Sequence, residues 1–227
     1  MTDQVQLDQV LARAERVAET AARDAERVDR EARFPEAALG AMAGEGLMGL
    51  VSGRGVGGLG LGPRAATLVV ERLARECAST AMVVCMHYAG ASVVEAHGPD
   101  DVRRAIARGE HVSTLAFSEA GSRSHFWAPM GTARAEGKDV VLDAAKSWIT
   151  SCRRATAYVW SSRPLAGEGA STLWLVPAST PGLTPGAPFE GLGLRGNDSS
   201  PLTATQARLP ATSRLGTDGQ GFDIMMG

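Results

Sequence analysis

The chain has 227 residues, of which 44% are hydrophobic and 21% are charged, and its formal net charge is −2. This length allows one large domain or two modest ones, and the apolar fraction is enough for a buried core. Because the charge is nearly balanced, electrostatics favour neither nucleic acid nor an anionic membrane as a partner. We therefore expect a globular protein that binds neither.

The cysteines and the amino terminus bear on location. Cys77, Cys85 and Cys152 form no CxxC pair and share no metal-ligand spacing with histidine, so no metal site is predicted. Such a sparse, odd set is typical of reduced thiols in a cytoplasmic protein. The amino terminus lacks the basic-then-apolar pattern of a signal peptide, and the sequence lacks a run of about 20 apolar residues that would span a membrane.

The first half of the sequence has helical periodicity. Apolar residues recur every three or four positions between residues 7 and 28, which predicts an amphipathic helix. Proline and glycine punctuation predicts a second helix over 35–44, and apolar patterns predict others over 66–77, 82–94 and 100–108. His87 lies in the apolar 82–94 helix, where a lone histidine is more often packed in the core than a ligand.

A glycine-rich segment separates the second and third helices. Residues 53–62 contain six glycines, which predicts an irregular loop. We reject a phosphate-binding loop here because no strand precedes the segment and no Lys-Ser/Thr pair follows it. The loop is expected to let a helix pack closely.

From residue 113 onwards the pattern changes to short strands. A hairpin is predicted with arms over 126–135 and 140–144, and further strands are predicted over 157–162, 172–176 and 202–209. The fold class predicted is α+β. An amino-terminal all-α domain (residues 1–112) would precede a small antiparallel β-barrel-like domain (residues 113–227).

Several short motifs occur in order along almost the whole chain. They are DREARFP at 29–35, GLMG at 46–49, GGLG at 57–60, FSEAGSRS at 117–124, KSWIT at 146–150, GLRG at 193–196 and GTDGQGF at 216–222. Together they resemble the acyl-CoA dehydrogenase family. The resemblance implies a helical domain, a middle β domain and a carboxyl-terminal four-helix bundle, of which this chain would carry the first two.

The resemblance also implies a cofactor and site residues. FAD would bind against the middle domain, with Phe117 and Ser118 at the pyrimidine edge of the flavin, Trp148 over the ring and Thr150 near N5. Ser124 matches a position that contacts acyl-CoA. No catalytic residue is assigned in this chain, because the family's proton-abstracting carboxylate comes from the bundle. Without the motifs, Trp148 would be interpreted as a core aromatic residue, and Ser118 and Thr150 as strand residues bonded to the backbone.

Three residues depart from the family pattern beside the substrate entrance. Ala120 replaces a usual proline, Arg123 a usual glycine and His125 a usual aspartate. The acyl group and its carrier, CoA or a carrier protein, are therefore left open. The family also implies a redox partner such as an electron-transfer flavoprotein and assembly into a homo- or hetero-oligomer.

Two alternatives to an acyl thioester dehydrogenase remain. A flavin-dependent monooxygenase with the same fold would use reduced flavin and oxygen instead. A non-catalytic subunit of a hetero-oligomeric dehydrogenase would share the two domains without carrying out the reaction.

Overall fold

The computed structural model describes residues 3–123 and 125–227. Its helices are α1 (Asp3–Arg30), α2 (Glu36–Gly44), α3 (Pro63–Ala74), α4 (Ala78–His97), α5 (Asp100–Ala107) and α6 (Gly221–Met226). Its strands are β1 (Ser113–Ala116), β2 (Thr132–Glu136), β3 (Asp139–Ile149), β4 (Ala157–Ser162), β5 (Thr172–Pro177), β6 (Leu183–Pro185), β7 (Ser200–Pro210) and β8 (Arg214–Leu215). Five helices precede all the described strands, so the predicted α+β class is confirmed. Within this part of the chain, no helix combines the length and apolar character needed to cross a membrane.

The strands form two four-stranded sheets, in the orders β1-β4-β5-β8 and β2-β3-β7-β6. Neighbouring strands are antiparallel except β1 and β4, which are parallel. Apolar residues of both sheets meet in one core cluster, which includes Trp160 and Trp174 from one sheet and Leu142 and Leu202 from the other. The described strands form two packed sheets and not the closed barrel that the term barrel-like suggests.

Helix α4 joins the helical half to the sheets. It is apolar on most sides, and ten of its residues are buried, as expected for a helix enclosed by other elements. One side packs in the helical core with α1 and α3. Its other side places Ala91 and Val94 in a cluster with Val159 of β4 and Leu173 of β5. Because α4 belongs to both cores, the domain boundary near residue 112 stays a prediction, although it falls between α5 and β1.

The predicted first arm of the hairpin was too long. The strand β2 begins at Thr132, whereas the prediction began it at Phe126. Pro129 has no backbone N–H to donate to a partner strand. The N–H groups of Met130 and Gly131 donate to the carboxylate of Glu119. The segment before Thr132 is therefore held by a side chain and not by strand pairing.

Candidate functional site

A β-bulge turns Trp148 out of the sheet. Lys146 pairs with Leu202 and Ile149 pairs with Ser200, so three steps along β3 match two steps along β7. Trp148 has φ = +59°, which is uncommon for a bulky residue, and the residue is 63% exposed. Bulges re-aim side chains and are frequent beside active sites. The indole ring is thus presented on the surface by the backbone itself.

Trp148 lines an open cavity of about 290 Å³ between β3 and α4. The other lining residues include Met82 and Met86, four residues apart on α4, and Thr150 just after β3. Phe189 stacks on Trp148, with ring centroids 4.0 Å apart and planes inclined by 20°. The lining of the cavity therefore combines a flat aromatic surface with flexible methionine side chains.

A polar corner closes this cavity around Thr150. The Thr150 side chain is buried, and its Oγ1 lies 3.3 Å from Oγ of Ser199. The Thr114 hydroxyl donates to the Thr150 carbonyl at 2.9 Å. Asn197 accepts from the N–H of Ser199 at Oδ1 and from the N–H of Ser151 at its carbonyl, each at 2.9 Å. These bonds hold two hydroxyl groups next to the apolar ring of Trp148.

The turn that carries Asn197 is fixed between α1 and α4. The N–H of Gly196 donates to Oγ of Ser79 at 3.2 Å. A Cβ at Gly196 would stand 2.4 Å from the Arg33 carbonyl oxygen, so the turn touches the chain just after α1. Asp198, with φ = +54°, accepts from the Arg153 N–H at 2.7 Å and pairs with its guanidinium. The helical half therefore sets the position of this cavity wall.

Phe117 and Ser118, which follow β1, do not line the Trp148 cavity with Thr150. Phe117 is half-buried and lines a second, largely apolar cavity of about 550 Å³ with Ile224 of α6. Ser118 is exposed, and its carbonyl accepts from the N–H of Ser147 at 2.9 Å. The structure thus brings Ser118 next to the Trp148 backbone and places Phe117 in the wall of the second cavity. Ser124 lies outside the described residues.

A buried ion pair links the segment after β1 to β3. Nζ of Lys146 lies 2.7 Å from Oε1 of Glu119, and the two side chains are 0% and 2% exposed. Lys146 also donates to the carbonyl and hydroxyl oxygens of Ser161. Burial lowers the pKa of Lys146 to about 8, against the opposing effect of the Glu119 charge. Two residues that lie 27 positions apart, in different motifs, are therefore joined inside the core.

His87 ties α4 to the start of β1. Its Nδ1 accepts from the N–H of Ser113 at 3.1 Å, so Nε2 carries the proton and donates to the Met48 carbonyl at 2.9 Å. Burial lowers the pKa of His87 to about 4. The pKa of His111 is also about 4, because of burial and the neighbouring His87. His87 thus has the packed role predicted for it, and the described residues contain no cluster of His, Cys, Asp or Glu suited to a metal ion.

Several cavity residues were not predicted from the sequence, among them Met82, Met86 and Phe189. Met82 and Met86 lie on a helix that is apolar on most sides, so periodicity alone does not show which face borders a cavity. Phe189 precedes the GLRG motif by four residues. An aromatic residue beside this glycine-rich segment could have indicated a stacking contact, but its partner Trp148 is distant in the sequence.

Comparisons with known proteins identify the family. Residues 5–109 match the N-terminal domain and residues 114–207 the middle domain of acyl-CoA dehydrogenase. The chain is 35% identical over 212 residues to the mitochondrial short-chain specific acyl-CoA dehydrogenase of Homo sapiens, covering 89% of this chain and 51% of that protein. It is 28% identical over 208 residues to the mitochondrial isobutyryl-CoA dehydrogenase of Dictyostelium discoideum, covering 89% of this chain and 50% of that protein.

The fold matches as well. The solved butyryl-CoA dehydrogenase of Megasphaera elsdenii superposes with a TM-score of 0.87 at 20% identity, covering 99% of this chain and 61% of that one. The chain spans about half the length of the curated relatives it matches. It belongs to the acyl-CoA dehydrogenase family.

Proposed function

We propose that this chain carries the flavin-facing part of an oxidoreductase that dehydrogenates an acyl thioester between its α and β carbons, with FAD as hydride acceptor. The observation that carries the proposal is the bulge that presents Trp148 beside the Thr150 cavity. A bulky residue held at φ = +59° costs free energy, and such strain concentrates at functional sites. Family membership supplies the reaction class.

The cavity residues suit a flavin ring. The isoalloxazine is flat and largely apolar, with a polar edge, and the cavity offers an exposed indole, methionine side chains and the hydroxyls of Thr150 and Ser199. When bound, FAD would supply the ability to accept a hydride from carbon, which protein side chains do not offer. Trp148 would cover the ring and keep water from it, while Thr150 would donate a hydrogen bond towards N5. Ser118 would lie at the pyrimidine edge, next to the Trp148 backbone.

The second cavity suits the acyl part of the substrate. It has a largely apolar lining and lies between α4, Phe117 and α6. Phe117 would then separate the flavin edge from the acyl group. We propose Ser124 as a contact of the thioester end and leave the carrier as CoA or a carrier protein. No residue of this chain is assigned as the acceptor of the α-proton.

The proposed partners follow from the same reaction. Electrons that reach the flavin must leave it, and an electron-transfer flavoprotein is the proposed acceptor. Homo- or hetero-oligomer assembly is proposed as well.

The proposal is tested first by flavin binding and then by chemistry. The 227-residue chain is titrated with FAD, and saturable binding that perturbs the flavin absorbance is expected. A saturated acyl-CoA is then added in the absence of oxygen. It is added to the chain alone and to the chain combined with a polypeptide that carries the family's carboxyl-terminal four-helix bundle. Bleaching of the flavin absorbance in the combined sample supports dehydrogenation. A chain that binds no flavin in either sample would refute the proposal.

A further inference from the structure

We propose that Glu119 and Lys146 act as one positioning unit that holds the segment after β1 against the bulge of β3. Through this unit the separation between Ser118 and Trp148 would be set before any flavin binds. The inference rests on the proposed function and goes further, because it assigns a role in cofactor binding to two side chains that line neither of the two cavities.

Backbone hydrogen bonds surround the ion pair on both sides. The N–H of Ala120 donates to the Ala145 carbonyl at 3.1 Å. The N–H of Ser147 donates to the Ser118 carbonyl at 2.9 Å. The ion pair lies between these two bonds, at an isolated antiparallel β-bridge that pairs Glu119 with Lys146. Its neighbours in sequence, Ser118 and Ser147, are thus fixed together one residue before Trp148.

The Glu119 carboxylate also orders a third segment. Its Oε2 accepts from the N–H groups of Met130 and Gly131, at 2.5 and 2.9 Å. A Cβ at Gly131 would stand 2.9 Å from Oε1 of Glu119 and 2.5 Å from Cβ of Ala144, so only glycine allows this approach. One carboxylate therefore replaces strand pairing in the chain that leads into β2.

The Lys146 ammonium has a partner for each of its three protons. They are Oε1 of Glu119 at 2.7 Å, the Ser161 carbonyl at 2.7 Å and the Ser161 hydroxyl at 3.0 Å. The ring of Trp160 lies 5.0 Å from Nζ. A fully satisfied buried network of this kind is rigid.

A contribution to fold stability alone does not explain why Glu119 and Lys146 are charged residues. An apolar pair of similar volume often stabilises a core as well as a buried ion pair does. An ion pair differs because its hydrogen bonds are directional, and these bonds join the segments that carry Ser118 and Trp148. The geometry therefore assigns the pair to positioning.

The composition of the chain provides a matched control. The chain has only two lysines, the buried Lys146 and Lys138 in the exposed turn between β2 and β3. Lys146→Met removes the ammonium and keeps an unbranched side chain, and Lys138→Met makes the same change on the surface. The double variant Glu119→Gln/Lys146→Met leaves no unpaired charge, so it keeps the test usable if Lys146→Met does not fold.

The experiment measures amide hydrogen exchange and FAD affinity in the 227-residue chain. In Lys146→Met, exchange at the amides of Ala120 and Ser147 is expected to rise at least tenfold, with amides of α4 changed less than twofold. The Kd for FAD is expected to rise at least tenfold. The double variant should regain thermal stability but not FAD affinity. Lys138→Met should leave amide exchange and the Kd for FAD within twofold of the original chain and should leave Tm unchanged.

Three results would overturn the inference. They are unchanged exchange at Ala120 and Ser147, an equal rise in exchange throughout the chain, or full FAD affinity in the double variant. If FAD binds neither to the original chain nor to the chain combined with the family's carboxyl-terminal bundle, the proposed function fails first. The local exchange comparison then still decides whether the pair holds the two segments together.

Discussion

Gly196 tests how the helical half holds the wall of the Trp148 cavity. The change is Gly196→Ala. A Cβ at this position would stand 2.4 Å from the Arg33 carbonyl oxygen, 2.4 Å from Cγ1 of Val28 and 2.9 Å from the Val28 carbonyl oxygen. Two of these three atoms are backbone oxygens, one in the last turn of α1 and one just after it, so they cannot rotate away. Either the turn or the helix end must move.

The expected loss of stability is about 2 kcal/mol. Overpacking a close contact costs about 1–3 kcal/mol, and backbone neighbours place this site at the upper end. Replacing glycine also restricts the unfolded chain, which offsets about 0.5–1 kcal/mol of that cost. For a chain of this size the net change corresponds to a fall in Tm of about 4–8 °C.

Thermal unfolding followed by circular dichroism measures this effect, and Gly193→Ala is the matched control. Gly193 lies in the same segment, and a Cβ there would meet nothing within 4 Å. The Tm of Gly193→Ala should stay within about 2 °C of that of the original chain. Substitutions at the surface rarely change the free energy of unfolding by more than about 0.5 kcal/mol. Equal Tm values for Gly196→Ala and Gly193→Ala would contradict the close packing of this turn against α1.

Other predictions concern the exposed indole, an anchoring carboxylate and the buried histidines. Trp148→Leu should weaken FAD binding at least tenfold, measured by fluorescence titration. It should not lower Tm, because the residue is 63% exposed. Equal FAD affinity would contradict the flavin contact. Asp218→Asn should lower the free energy of unfolding, measured with urea, by about 1–3 kcal/mol, because this carboxylate accepts hydrogen bonds from two backbone N–H groups and one hydroxyl. Asp101→Asn, at an exposed position, is the control. Equal losses in the two variants would refute this anchoring. His87 and His111, with pKa values of about 4, stay neutral in the folded state while the unfolded state binds protons below about pH 6.5. The free energy of unfolding should therefore fall as the pH drops from about 6.5 to 4, by up to about 2 kcal/mol for each histidine at about pH 5. A flat profile between about pH 7 and 5 would show that these side chains are not buried as neutral groups.

The helices were predictable because their signals are local. Apolar periodicity and proline or glycine boundaries placed α1 to α5 within a few residues of their observed ends. Helix α2, for example, was predicted over 35–44 and is observed at Glu36–Gly44. The short strands β6 and β8 have three and two residues, too few to show alternation.

The bulge at Trp148 was not predictable from the sequence. It arises from the register between β3 and β7, whose paired residues Lys146 and Leu202 are far apart in the chain. The motif that contains Trp148 indicated a functional residue, and only the register shows why it leaves the core. The hairpin error has a similar origin, because Glu119 takes the amides that a strand at Met130 would use.

The site was predictable in part. Trp148 and Thr150 line one cavity, whereas Phe117 lines another. Adjacent residues of an extended segment point to opposite sides, so Phe117 and Ser118 diverge where a motif lists them together. Which of them contacts a flavin stays a prediction.

A nitrogen–proton correlation NMR titration with FAD tests the proposed flavin site most directly. NMR detects millimolar affinities, so it reports even weak binding by this chain. Indole signals are expected to shift for the exposed Trp148 and to stay in place for the buried Trp160 and Trp174. The amides of Ser118 and Thr150 should shift with the Trp148 indole along one binding curve. Signals that do not move at millimolar FAD, or that move only away from the Trp148 cavity, would contradict a flavin-facing site in this chain.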